Sequence, residues 1–525
     1  MTSPNRIEVL GSVEPRFATI LSPEALDFLG TLHDEFSGAR HERLAARMFS
    51  RSEIDLGADL GFLASTAGIR SDADWKVAGP GPGLERRIVE LTSPPNADSA
   101  AAALASAADV WIADLEDATS PTWSNVIGGQ LALFDALRRR SSTRPTVAMR
   151  PRGWHLTEKH LRFTDRAGQA SPTSASLVDF GLYFFHNAKT LIAGGTGPYF
   201  YLPKLENHLE ARLWDQVFSF AEEALGIAHG TIRATVQIET IPAAFEMEEI
   251  LYELREHAAG LNAARWDYIF SIIKNFRGRG AGFTLPDRSA ITMTTPFLRA
   301  YTELLVSTCH RRGAYAIGGL STQVPDSASA ADMAAVTGDK RREAADGFDG
   351  TWVAHPGLVD VARDAFEAVL AGRTDQLDRL RADVQVTAAD LLDLTVDGTV
   401  TDEGVAANVS SALRYIESWL RGVGAVPIGG RIEDAATAEL SRAQLWQWMH
   451  HRTVTTQGRP VTRAFVTAEV ERILEAERTV PGNRFAEAAE VFRKVALEED
   501  FPTFITVAAY PHYLVDARRP VAAAA

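Results

Sequence analysis

Glu239 closes the run RATVQIE and Asp267 stands at the opening of WDYIFS, with a segment carrying Phe245, Ile250, Leu251 and Leu254 at helical spacing between them. By apolar spacing this reads as strand, helix, strand, with one carboxylate ending the first strand and another beginning the second. Where parallel strands close into a barrel, their carboxyl ends and the loops that follow share one mouth. Two carboxylates there can hold a hard divalent cation, because Mg²⁺ takes oxygen ligands and keeps waters that a substrate can displace. Carboxylates at strand ends also serve as helix caps or plain surface charges. Arg150 ends TVAMR and reaches the same mouth. Its planar, non-titrating donor set suits a carboxylate or a developing enolate, and equally a neighbouring acid. IADLED puts Asp114, Glu116 and Asp117 at another strand end, where three acids must face solvent, a cation or an arginine. Much later, Asp434 in RIEDAATAELSR directly precedes a helix, where an N-cap is its ordinary role and Glu439 and Arg442 suit a solvated face.

Those residues need a scaffold that brings strand ends together. From about residue 86, strand patterns alternate with helical ones: RIVELT, VWIADL, TVAMR, YFYLPK, RATVQIE, WDYIFS, AYAIGG and TWVAH. Eight strands alternating with helices, among them DFGLYFFHNAKTLIAGG ending at its glycine pair, predict an α/β fold, a (β/α)₈ TIM barrel. No strand-linked GxGxxG occurs, so a dinucleotide-binding domain is not expected. Residues 1–80 read as an N-terminal helical region in two runs, the first opening at Ser22-Pro23-Glu24. AGPGPG at 78–83 breaks helix and marks a linker. The barrel is expected over 81–375. A C-terminal helical domain is expected over 376–525, its last residues from Arg518 frayed.

Composition narrows the class. The 525 residues exceed one compact core, and 46% hydrophobic with 23% charged is that of a globular protein. A net charge of −15 argues against general nucleic-acid binding. No apolar run reaches membrane-span length, and the start lacks a secretory pattern. One cysteine, Cys309, excludes an intrachain disulfide and points to a cytoplasmic setting. The oligomeric state is left open, a monomer included.

IETIPAAFEMEEIL and GLNAARWDYIFS resemble, nearly residue for residue, the signature region of the malate synthase family in its shorter A-type form. IADLEDATSPTW, VAMRPRGWH, GFDGTWVAHPGLVDVA and IEDAATAELSRAQLWQW extend the likeness over most of the chain. The resemblance implies a transferase of the glyoxylate bypass and tricarboxylic acid cycle, condensing acetyl-CoA with glyoxylate and water to (S)-malate and CoA. It implies Glu239 and Asp267 as Mg²⁺ ligands, Arg150 as enolate stabiliser and Asp434 as the general base. Glu116 and Asp117 are implied beside the metal, ordering its waters. Trp352, His355 and Pro356 are implied in the acetyl-CoA channel, and backbone N–H groups near Trp266 and Asp267 at the glyoxylate carboxylate. Lys274, Arg277 and Arg279 suit either the CoA phosphates or a solvated basic loop. The alternatives are a Mg²⁺-dependent malyl-CoA or citramalyl-CoA lyase, which the EDAATAELSR segment disfavours, and a non-catalytic CoA-binding protein, which would have lost one of Arg150, Glu239, Asp267 or Asp434.

Overall fold

The computed structural model describes residues 6–139 and 144–515; the expected fraying from Arg518 lies outside them. Eight parallel strands close into a barrel in chain order: β1 (Val89–Ser93), β2 (Val110–Asp114), β3 (Thr146–Arg150), β4 (Tyr199–Leu202), β5 (Arg233–Ile238), β6 (Ala258–Ala263), β7 (Tyr315–Ser321) and β8 (Gly350–Val353). Seven coincide with the strands expected from sequence. The exception is WDYIFS, which is helical. Its β-branched and aromatic content lies in the helix Arg265–Phe276, and the strand is the preceding AAGLNA. Glycine is required at position 260 of β6 because a Cβ there would collide with the Tyr315 carbonyl of β7. The inside of the barrel is packed with Tyr199, Tyr201, Tyr315, Ile112, Ile317 and Trp352, as expected of a filled barrel and not a pore.

The helices that position the site are α1 (Pro23–Asp55), α2 (Ala175–Ala193), α3 (His208–Leu225), α4 (Arg265–Phe276), α5 (Asp402–Leu420) and α6 (Ala435–His450). Ser22 caps α1 by accepting the Ala25 N–H, and Pro23 sits in its first turn. The two helical runs expected in this region are one continuous helix. The region is also not wholly helical. Ile7–Val9 pairs antiparallel with Thr157–Thr164, which pairs with Ala170–Ser174, so a three-stranded sheet flanks the barrel. After the barrel, helices α5 and α6 and those that follow share a second apolar core with Trp419, Trp448, Phe465 and Phe492. One short hairpin, Val426–Ile428 with Arg431–Glu433, interrupts this helical part immediately before Asp434. Among the described residues no helix is long and apolar enough to cross a membrane.

Candidate active site

Each strand end delivers the residue its sequence position demands. Arg150 is the last residue of β3, and Asp114, the last of β2, is its register partner. The Arg150 guanidinium donates through Nε to Asp114 Oδ1 at 2.7 Å and through Nη2 to Asp114 Oδ2 at 2.5 Å. Nη1 donates to Gln237 Oε1 at 2.7 Å and pairs with Asp117 Oδ2 at 2.8 Å. Asp114 in turn accepts the backbone N–H groups of Glu116 and Ala118, each at 2.9 Å, which coils the loop after β2 back over the mouth. Arg150 is therefore fixed in the plane of a two-point carboxylate contact. Trp352 lies beneath it, the guanidinium 5.5 Å from the ring centroid. The Trp352 indole donates to Glu90 Oε2 at 2.7 Å, inside the barrel.

Glu239 follows β5 directly and is fully buried. Asp267 occupies the first turn of α4, not a strand start. One oxygen each from Asp117, Glu239 and Asp267 lie within 4.8 Å of one another. Buried Glu239 Oε2 and Asp267 Oδ1 have no hydrogen-bond partner among the described residues, though the Lys204 ammonium stands 4.0 and 3.4 Å from them. Hard anionic oxygens converging with unused lone pairs fit Mg²⁺. Burial raises the Glu239 pKa well above the ordinary carboxylate range, opposed by Lys204 and reinforced by Asp267. Asp267 is raised for the same leading reason.

Lys204, just past β4, has no counterpart among the residues singled out from sequence. Its Nζ donates to Asp117 Oδ1 at 2.8 Å and lies 3.4 Å from Glu116. The same strand-end argument that picks Glu239 picks the lysine of YFYLPK. Gln237, which anchors Arg150, faces inward one turn of the pleat before Glu239 and gave no separate signal. Glu116 accepts the Gly153 N–H at 2.7 Å. Burial lifts its pKa to about 7, against Lys204 and with help from Asp117. For Asp117 burial is outweighed by Lys204 and Arg150, and its pKa is lowered.

Asp434 arrives from the C-terminal part of the chain. It is the N-cap of α6, its Oδ1 accepting the Thr437 N–H at 3.2 Å in a reciprocal capping arrangement. The adjacent Ala435 N–H donates to the Asp117 carbonyl at 3.3 Å, which ties this helix start to the barrel loop. Asp434 lines the same small pocket as Asp117, Arg150, Trp266, Asp267 and Trp352. It also lines a larger cavity of about 600 Å³, with Thr92, Pro95, Asn125 and Pro356 on its walls. Burial raises the Asp434 pKa well above the usual aspartate value, with repulsion from Asp117 and Asp267 adding and Arg150 opposing.

Two expectations change. Glu439 and Arg442 are not a solvated face: both are buried and paired at 2.8 Å, with Ile505 N–H on Glu439 and the Pro502 carbonyl on Arg442. They pin the C-terminal segment onto α6. Lys274, Arg277 and Arg279 are not a free basic loop. They pair with Glu206, Asp55 and Asp59, at 3.0, 3.1 and 2.7 Å: α4 carries the chain to Phe276 and buries Lys274, while Arg277 and Arg279, just past its end, reach back to acids at and after the end of α1.

Three family models match in sequence order: the malate synthase N-terminal domain over residues 5–68, the malate synthase TIM barrel domain over 146–394 and the malate synthase C-terminal domain over 399–513. A malate synthase of Streptomyces clavuligerus is 53% identical, over 94% of this chain and 96% of its own. Malate synthase A of Escherichia coli K12 is 43% identical, over 94% and 95%. A malate synthase ternary complex with pyruvate and acetyl-CoA from Haloferax volcanii aligns with a TM-score of 0.48 at 17% identity, covering 78% of this chain and 98% of that one.

Proposed function

Because the chain belongs to the malate synthase family, whose members condense acetyl-CoA with glyoxylate, we propose roles for the residues of this site in that condensation. The protein is an acyltransferase of the glyoxylate cycle. Glu239 and Asp267 would hold Mg²⁺, with Asp117 beside them, and a bound Mg²⁺ supplies Lewis-acid polarisation of the aldehyde oxygen of glyoxylate. The first turn of α4 offers backbone N–H groups at Trp266 and Asp267 that no intrahelical carbonyl uses, a setting suited to the glyoxylate carboxylate. The thioester arm of acetyl-CoA enters along the cavity walled by Pro356 and ends at Asp434.

Asp434 removes a proton from the acetyl methyl group. An aspartate at its ordinary pKa of ~3.9 is a weak base for this task, and the raised pKa at this position strengthens it. Arg150 places its guanidinium against the enolate oxygen, held for that purpose by Asp114 and Gln237, so no reorganisation is needed as charge develops. The enolate carbon attacks the aldehyde carbon, and water then cleaves the thioester to release malate and CoA. Cytoplasmic location is part of the same reading, supported by the lone buried Cys309.

The observation that carries this assignment is a single one: a buried aspartate from the C-terminal part faces, within one pocket, both the arginine and carboxylates of the barrel proposed to hold the metal. The test is thiol release from acetyl-CoA plus glyoxylate during Mg²⁺ titration of wild type and Asp267→Ala. The variant is expected to need at least about 100-fold more Mg²⁺, the upper end for losing even an outer partner of a metal ligand. An unchanged half-saturation point would move the metal elsewhere.

A further inference from the structure

At the opposite end of β5 from Glu239 lies a second cluster that the condensation does not use. Glu222 is in the last turn of α3, His229 is in the loop that follows its left-handed cap at Gly226, and His257 immediately precedes β6. Six residues of β5 at ~3.3 Å each put this cluster roughly 20 Å from the mouth. Glu222 Oε2 is the common vertex, with His257 Nε2 at 3.2 Å and His229 Nδ1 at 3.5 Å. One ligand atom from each of the three residues lies within 4.8 Å of the others. Zinc with ligands at ~2.0–2.1 Å in a tetrahedron sets neighbouring ligand atoms roughly 3.3 Å apart, and both measured edges match.

The outer nitrogens supply the second observation. His257 Nδ1 lies 2.7 Å from Asp215 Oδ1, and His229 Nε2 lies 2.7 Å from Glu256 Oε2. A metal-bound imidazole characteristically gives its other N–H to a carboxylate, which selects the tautomer and sharpens its basicity. Both rings are arranged this way and turn their remaining nitrogens to one carboxylate oxygen. Glu222 is itself held by the Gly230 N–H at 2.8 Å and the Ile232 N–H at 2.7 Å. The His229 side chain is 51% exposed, so water can reach the fourth position, while His257 is fully buried.

We infer that Glu222, His229 and His257 form a binding site for a zinc-class divalent transition ion on the barrel face away from the active site, with Asp215 and Glu256 orienting the two imidazoles. Nitrogen ligands separate it chemically from the oxygen-only pocket above. The ion clamps the loop between α3 and β5 to the start of β6, and conservation of fold is its role, since this face of a barrel serves stability.

The test uses the full chain, stripped with a chelator and titrated with Zn²⁺ or Co²⁺ under a large excess of Mg²⁺. Wild type is expected to bind one equivalent against a competing chromophoric chelator, and with Co²⁺ to show the intense visible bands of a tetrahedral site. Glu256→Gln weakens binding by roughly 10–100-fold, and His229→Ala by more, with the cobalt bands gone. Because His229 is half exposed, its removal leaves the fold and the Mg²⁺-dependent thiol release unchanged. Equal zinc affinity in wild type and His229→Ala, or no zinc held by wild type under Mg²⁺ excess, overturns the site, and either result leaves the assignment of the active site standing.

Discussion

In the proposed mechanism Asp434 has two jobs in one side chain, and two substitutions separate them. As N-cap it accepts the Thr437 N–H; as base it must be an ionisable carboxyl. Asn keeps the cap, since Asn and Asp are equivalent there, and removes the base. General-base catalysis contributes ~10²–10⁴-fold, so Asp434→Asn is expected to lower kcat by about that factor, or about 3–5 kcal/mol of barrier, with Mg²⁺ and glyoxylate binding within a few-fold of wild type. Stability moves the other way. The folded-state pKa lies above the unfolded value, so the carboxyl favours folding only while protonated. That contribution is full below the unfolded pKa of ~3.9 and is lost as pH rises through the folded one. In Mg²⁺-free buffer at pH 7, Asp434→Asn should therefore unfold at the same or a higher denaturant concentration than wild type, the two converging near pH 4. Asp434→Ala should be equally inactive but less stable than the Asn variant by ~1 kcal/mol, the worth of the cap. Thiol release at saturating substrates reads the activity, and urea unfolding followed by circular dichroism reads the stability. An Asn variant within tenfold of wild-type kcat would show that Asp434 only caps the helix, and the mechanism would need another base.

Arg150→Lys keeps a charge but cannot span Asp114 with two donors and reach Gln237 as well; kcat should fall by ~10²–10³, as when one oxyanion donor is lost, while the Mg²⁺ requirement stays near wild type. Arg442→Met strands the buried Glu439 carboxylate; destabilisation of ~3–5 kcal/mol is expected by denaturant unfolding, and Glu439→Gln in the same chain should restore much of it. Mg²⁺ affinity should increase as pH rises through about 7, because Glu116 titrates there and Glu239 and Asp267 are raised too, and the cation must displace those protons; calorimetry in two buffers of different ionisation heat would show proton release, and a pH-independent affinity would contradict the site.

What could be read from sequence was whatever local pattern decides. The placement of Arg150 and Glu239 was legible because strand ends and the residues just after them gather at a barrel's mouth, and that of Asp434 because a polar residue directly before a helical run is commonly its cap; their chemical roles were implied only by the family resemblance. The sixth strand, β6, was not legible as such. Its neighbour across the ladder presses a carbonyl onto Gly260, and AAGLNA, with no β-branched or aromatic residue, carries no strand signal, while the β-rich WDYIFS is held helical by burial of Tyr268, Ile269 and Phe270. The pairing of Ile7–Val9 with Leu161–Phe163 is set by partners far apart in sequence, and nothing in either stretch alone announces it. Arg442 and Glu439 look like surface charges at i and i+3 until the segment around Pro502 covers them.

Lys204 shows most directly how the fold prepares the site. Asp114, Glu116, Asp117, Glu239, Asp267 and Asp434 are all buried around the mouth, with Arg150 and Lys204 as the cations among them. So much uncompensated negative charge is costly away from water, and the fold answers in two ways: it raises the pKa of Glu116, Glu239, Asp267 and Asp434, and it aims the Lys204 ammonium at the centre. Aiming it has a cost of its own. Lys204 sits at φ +54°, a left-handed conformation worth about 1–2 kcal/mol against a side chain, and its N–H is thereby turned to Glu239. A strained residue that orients one carboxylate of the proposed metal site with its backbone and neutralises another with its side chain is the kind of local sacrifice that persists where function requires it. The excess of acids over Lys204 and Arg150 is what the proposed divalent cation would balance, and the protons held at the raised carboxyls are what it would replace.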